Sequence, residues 1–153
     1  MVAAAVAAAF ILSSPAFHVG GSIPKRFTCD GANVSPALRW TAPPARTRSL
    51  ALRLDDPDAP GGTFTHWTLW GLPAAARGVA THVRWALQGR NTFGEIGYGG
   101  PCPPPGSRHH YVFRLYALDT RLSLRRGVSV AQFATALRGH VLASARLVGV
   151  YGR

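Results

Sequence analysis

The chain has 153 residues, 47% of them apolar and 15% charged. A chain of this size and composition builds one domain with its own core, and extended disorder is excluded. Seventeen basic residues face six acidic ones, giving a formal net charge of +11. All the basic residues except Lys25 are arginine, and they are scattered, with no run longer than Arg125-Arg126. Such a distribution attracts phosphate in general but assembles no specific nucleic-acid surface.

Residues 1–9 form a short Ala-rich extension ahead of a single domain spanning 10–153. The apolar stretch Met1 to Leu12 has no basic flank and no clear cleavage site. It is also shorter than the roughly 20 apolar residues of a membrane span. A cytoplasmic protein is expected, with at most peripheral membrane contact. Export to a periplasmic or secreted location is the alternative if residues 1–12 act as a degenerate signal segment. Cys29 and Cys102 lie 73 residues apart and belong to no C-x-x-C pair, so neither a zinc knuckle nor a redox motif is indicated. A disulfide and a pair of free buried thiols fit the spacing equally.

Glycine and proline total 29 residues and punctuate short runs, which is the pattern of many short strands. From Ser49 to Asp55, Leu50, Leu52 and Leu54 alternate with Ala51, Arg53 and Asp55, which predicts a half-buried strand. The segment Asp55 to Pro60 (DDPDAP) follows. It concentrates Asp55, Asp56 and Asp58, half of all the carboxylates, in a loop stiffened by proline. Phe64 to Trp70 (FTHWTLW) predicts a second strand with Phe64, His66, Thr68 and Trp70 on one face.

Gly94 to Tyr111 (GEIGYGGPCPPPGSRHHY) is the most unusual stretch. Gly97, Gly99 and Gly100 can present consecutive amides to an anion, and Pro101 to Pro105 hold the loop stiff. No Rossmann or P-loop signature is present. His109 and Tyr111 are two apart at the start of a strand, so they point to one side and His110 to the other. In Tyr111 to Leu118 the set Tyr111, Phe113, Leu115 and Ala117 opposes Val112, Arg114, Tyr116 and Leu118. Ser129 and Gln132 form a capping box ahead of a helix at 129–138, which carries Val130, Phe133, Ala134 and Leu137 on one stripe. Gly139 ends it, and a last strand runs from Leu142 to Tyr151, weakest at Ala143 to Ala145. These elements describe a mainly β chain, a two-sheet sandwich with one or two short helices.

Asp56, His66, His109 and Tyr111 together suit a phosphate or carboxylate. A carboxylate beside an imidazole fixes its tautomer and favours the imidazolium, which binds anions. No nucleophile stands beside a base, no nucleophile elbow and no His-Glu-x-x-His occur, and no local spacing demands a metal. Binding without turnover, metal or cofactor is therefore expected.

These segments, in this order, resemble the phosphatidylethanolamine-binding protein family, and most of all its bacterial and archaeal kinase-inhibitor-like branch (YbhB/YbcL type). The resemblance runs from about Phe10 to Arg153. It is carried by Phe27 to Gly31 (FTCDG), Asn33 to Trp40 (NVSPALRW), Asp56 to Pro60, His66-Trp67, Gly97 to Pro105, His109 to Tyr111 and Leu147 to Arg153. It implies a Greek-key β-sandwich with a small cavity that takes phosphate-like anions or phosphorylated head groups. By motif, Asp56, His66, His109 and Tyr111 would line the cavity, and Gly100 and Pro101 would form part of its wall. Asp58 and Pro60 would brace the loop. Relatives include inhibitors of serine proteases and modulators of protein kinases, so a protease or kinase target reached through the protein surface is the alternative function, with a hydrolase behind it. A homodimer is compatible with all of these. The family often has arginine where this chain has His110.

Overall fold

The computed structural model describes Met1 and residues 3–153; Val2, inside the predicted extension, lies outside the described residues. Residues 3–9 are exposed and carry no regular secondary structure. The nine regular elements among the described residues are β1 (Leu12–Ser13), β2 (Leu38–Trp40), β3 (Ser49–Asp56), β4 (Phe64–Pro73), β5 (Gly78–Val79), β6 (Leu87–Gln88), β7 (Arg108–Leu118), α1 (Val130–Leu137) and β8 (Val141–Gly152). A single 3-10 turn, Lys25–Phe27, precedes β2.

The protein is mainly β and built from two sheets. Strands β1, β2 and β5 form a small antiparallel sheet, and the larger sheet has the order β6-β4-β3-β7-β8. The main core lies between them. Leu12, Leu38, Trp40 and Val79 of the small sheet meet Leu50, Leu52, Leu54, Trp67, Leu69, Phe113, Leu115 and Leu147 of the large one.

A second cluster sits on the outer face of the large sheet, where Phe133 and Leu137 of α1 cover Ala51, Trp70 and Leu118. The helix begins as its sequence directs. The Ser129 hydroxyl accepts from the Gln132 amide at 3.1 Å, and the Gln132 side chain accepts from the Ser129 amide at 2.8 Å. Gly139 follows with φ 76°, a conformation costly for other residues.

Two expectations change. Strand β3 is buried on both faces rather than half-buried, because it is the central strand and α1 covers the side its small residue Ala51 faces. Strand β8 is continuous through Ala143 to Ala145, since every residue there pairs with β7 and the ladder outweighs alanine's weak strand preference.

Candidate functional site

The site forms where β3, β4 and β7 reach one end of the sandwich. Strand β3 ends on Asp55 and Asp56, which point to opposite faces of the sheet. Asp55 turns to the outer face, where it meets Arg53 Nε at 2.7 Å and accepts from the Thr65 hydroxyl at 2.7 Å. Asp56 turns inward. Its Oδ2 lies 2.6 Å from His109 Nδ1, and its Oδ1 accepts from the Asp58 amide at 2.8 Å. Both members of the Asp56–His109 pair are almost fully buried, with side-chain exposures of 5% and 8%.

Strand β4 delivers His66 through a bulge. In the β3–β4 ladder Leu54 faces Trp67 and Asp55 faces Thr65, so His66 is the extra residue. A bulge of this kind breaks side-chain alternation and re-aims the residue inserted. The single face expected for Phe64, His66, Thr68 and Trp70 is therefore split. Trp70 packs under α1, whereas the His66 ring turns to the sandwich end and meets Phe64 at 4.9 Å and Tyr111 at 5.4 Å between ring centroids. His66 Nδ1–H donates to the Gly99 carbonyl at 2.6 Å, and the Gly99 amide donates back to the His66 carbonyl at 3.0 Å. Burial pushes the His66 imidazole below its ordinary titration range, so the ring is neutral at neutral pH and Nε2 carries a lone pair.

Tyr111 lies behind the two histidines, fully buried, with its ring 6.5 Å from that of His109. Its hydroxyl has no hydrogen-bond partner among the described residues. Burial, reinforced by the nearby Asp56 carboxylate, raises the phenol far above its ordinary value, so it stays protonated as a donor. His110 points away, as parity requires. Its amide and Nδ1 both contact Asp58 Oδ2 at 2.7 Å, which ties the acidic loop to β7. These contacts, the backbone amide foremost, hold the Asp58 carboxyl below its usual range.

Asp56, His66 and His109 line one pocket of about 180 Å³, whose remaining wall is mostly apolar: Ala59, Pro60, Phe64, Phe93, Pro103 and Pro104, with Cys102. Gly100 and Pro101, expected in the wall, are buried and are not among its lining residues. The amides expected to be free are engaged: Gly97 donates to Gly89, Gly99 to His66, and Gly100 to the Asn33 side chain at 2.8 Å. The loop therefore offers no amide nest. Gly100 is instead required by close packing, because a Cβ there would sit 2.3 Å from the Phe27 carbonyl oxygen. Pro101 accepts from the Cys29 amide at 3.1 Å, and Cys29 and Cys102 form a disulfide beside these bonds.

Sequence reasoning missed the aromatic wall. Phe93 sits in an irregular segment with no periodicity, and only its chain proximity to the Gly94–Gly100 loop hinted at its place. Among the described residues no group of three or more His, Cys, Asp or Glu side chains is arranged to hold a metal. No described helix is long and apolar enough to cross a membrane.

The same arrangement of strands and loops occurs in solved structures. A phosphatidylethanolamine-binding protein homologue from Chlamydia trachomatis superposes with a TM-score of 0.90 at 40% identity, over 95% of this chain and 98% of its own. Escherichia coli YbcL, described as a member of the mammalian PEBP family, superposes with a TM-score of 0.89 at 33% identity, over 95% of this chain and 99% of its own. A UPF0098 protein of Methanothermobacter thermautotrophicus is 47% identical over 149 residues, 93% of this chain and 98% of its own length. The family profile described as phosphatidylethanolamine-binding protein matches residues 13–152, which include every strand of the large sheet and every side chain of the pocket. With the fold, the pocket-bearing segments and the sequence all in agreement, the chain belongs to the phosphatidylethanolamine-binding protein family.

Proposed function

We propose that the pocket binds a small phosphate-like anion or the phosphorylated head group of a larger molecule, in its singly charged form. One observation carries this reading: two histidines of the same pocket are each oriented through Nδ1, leaving both Nε2 atoms unpaired in a wall that, apart from Asp56 engaged with His109, is mostly apolar. The two nitrogens are not equivalent. A doubly protonated His109, its Nδ1–H donating to Asp56, presents Nε2–H as a donor to an anionic oxygen. His66 is neutral with its proton on Nδ1, so Nε2 accepts. A phosphate monoanion supplies both partners, an anionic oxygen for His109 and a P–OH donor for His66. Phe64, Phe93 and the prolines exclude water from these contacts and leave room for a small apolar or zwitterionic substituent.

The reading is binding rather than turnover. The one thiol at the wall, Cys102, is bonded to Cys29, and neither histidine has a hydroxyl or thiol nucleophile hydrogen-bonded to it among the described residues.

Titration calorimetry with inorganic phosphate and phosphorylethanolamine tests it. Binding is expected at pH 6, with affinity falling toward about tenfold per pH unit once the monoester loses its second proton near a pKa of about 6. Absence of heat and of any thermal shift at millimolar ligand, or affinity that rises with pH, would overturn the reading.

A further inference from the structure

The outer face of the large sheet carries three arginines in one row. Arg53 of β3 faces Arg114 of β7, and Arg114 faces Arg146 of β8, each in direct register. Helix α1 covers the other end of this face and leaves the row open. Like charges placed opposite one another on neighbouring strands are destabilising, and here the arrangement occurs twice in succession. Asp55 is the only carboxylate that meets the row among the described residues. It lies 2.7 Å from Arg53 Nε and 3.7 Å from Arg114, so one negative charge is shared by two guanidiniums and Arg146 has none.

The row is also pre-organised. Arg53 is ion-paired with Asp55, its Nε 2.7 Å away without hydrogen-bond alignment, and one terminal nitrogen donates to the Thr65 hydroxyl at 3.1 Å, which leaves the other terminal nitrogen free. Arg114 is 40% exposed, and Arg146 is exposed beside it. A groove of about 360 Å³ runs past Arg53, Arg114 and the Asp55 carboxylate between them, flanked by Pro57, Thr63, Val112 and Tyr116, with Arg146 beyond its lining on β8. The pocket of Asp56, His66 and His109 opens elsewhere, and the two share no lining residue.

We infer that this face is a second anion site, which binds a di- or triphosphate group laid across β3, β7 and β8. Guanidinium forks match phosphate oxygens in pairs, and a row spaced by the ~4.8 Å between strands calls for several phosphoryl groups in one chain. An extended acidic peptide fits less well, because each carboxylate brings one charge and two oxygens, whereas a phosphoryl chain brings more charge and more acceptor oxygens to the same three guanidiniums. A second copy of the same face is excluded by the charge it carries.

The test is a competition between equal charge removals. Tripolyphosphate and orthophosphate are titrated into the wild type, into Arg114→Gln/Arg146→Gln, and into Arg125→Gln/Arg126→Gln, which removes the same charge from another part of the surface. Tripolyphosphate is expected to bind the wild type and the second pair alike. It should bind Arg114→Gln/Arg146→Gln more than about tenfold more weakly, the scale of one lost charge-assisted hydrogen bond. Equal weakening in both pairs would reduce the effect to general basicity and overturn the inference, as would no tripolyphosphate binding at all. Asp56→Asn separates the two sites, since it should weaken orthophosphate in the inner pocket and leave tripolyphosphate unchanged. Loss of tripolyphosphate binding in that variant would place the polyanion in the inner pocket and end the proposal. Both arginines are at least partly exposed, and without ligand their removal should leave the melting temperature unchanged or raise it, so a folding defect cannot imitate the result.

Discussion

Asp56 answers two donors with two oxygens, and that makes it the least replaceable side chain of the pocket. Oδ1 takes the Asp58 amide and Oδ2 takes His109 Nδ1. An amide has one accepting oxygen, so against a doubly protonated His109 the Asp56→Asn side chain must turn its NH2 toward one of the two donors. The expected cost is about 1–3 kcal/mol of stability, the penalty for a buried donor left unpaired, measurable by urea denaturation. Anion affinity should fall with it, because His109 loses the carboxylate that orients its ring and balances its charge when doubly protonated. His66 makes a separate prediction through pH. Its native pKa is depressed by burial, so the folded state resists the proton that the unfolded chain accepts near pH 6.5. Stability from this group is complete above that pH and declines as pH falls toward the lower native value. The stability curve of His66→Gln should therefore be flatter than that of the wild type between pH 6.5 and 5. A wild-type curve parallel to the variant's would contradict the buried neutral assignment.

At the scale of elements, the register decides what the sequence could disclose. Alternation in Tyr111 to Leu118 is faithful. Tyr111, Phe113, Leu115 and Ala117 enter the main core, while Leu118 packs with α1 and Tyr116 against that second cluster, so His109 and His110 are sorted correctly by parity alone. The capping box of α1 is equally local and equally readable. Parity fails in β4, because the bulge at His66 is set by pairing with β3 and by the bond to Gly99, neither of which leaves a mark within FTHWTLW. The Gly97–Gly100 loop misleads for a related reason. Glycine spacing suggests open amides, yet whether an amide is open depends on partners such as Asn33, 67 residues away from Gly100. Gly100 is there for contact rather than for ligand. Gly100→Ala would push a methyl against the Phe27 carbonyl and the Asn33 side chain, only 2.3 and 2.5 Å away. Since one of those atoms is backbone, the packing of this loop on the 3-10 turn must open, at a cost of about 1–3 kcal/mol or more. Thermal denaturation should show the loss, with a smaller effect for Gly61→Ala, where a Cβ meets nothing within 4 Å.

Across the whole molecule, the pocket wall is fastened to a distant part of the chain. The Cys29–Cys102 bridge closes a separation of 73 residues, joining the segment after the 3-10 turn to the Pro103–Pro104 wall. Chain-entropy reasoning gives a bridge closing a loop of this size about 4 kcal/mol, by restricting the unfolded chain. For a chain of this length that corresponds to a melting temperature about 5–15 °C lower after reduction or in Cys29→Ala/Cys102→Ala. The pocket itself should survive. The same two segments are also joined by Tyr98 to the Phe27 carbonyl at 2.6 Å, Cys29 to the Pro101 carbonyl at 3.1 Å, and Gly100 to Asn33 at 2.8 Å. These bonds hold the folded loop with or without the sulfur bridge, whereas the bridge alone acts on the unfolded chain. Reduction should therefore lower the melting temperature clearly while changing anion affinity far less than Asp56→Asn does. Loss of both together would mean that the covalent tie, and not the hydrogen-bonded packing around Gly100, sets the shape of the pocket.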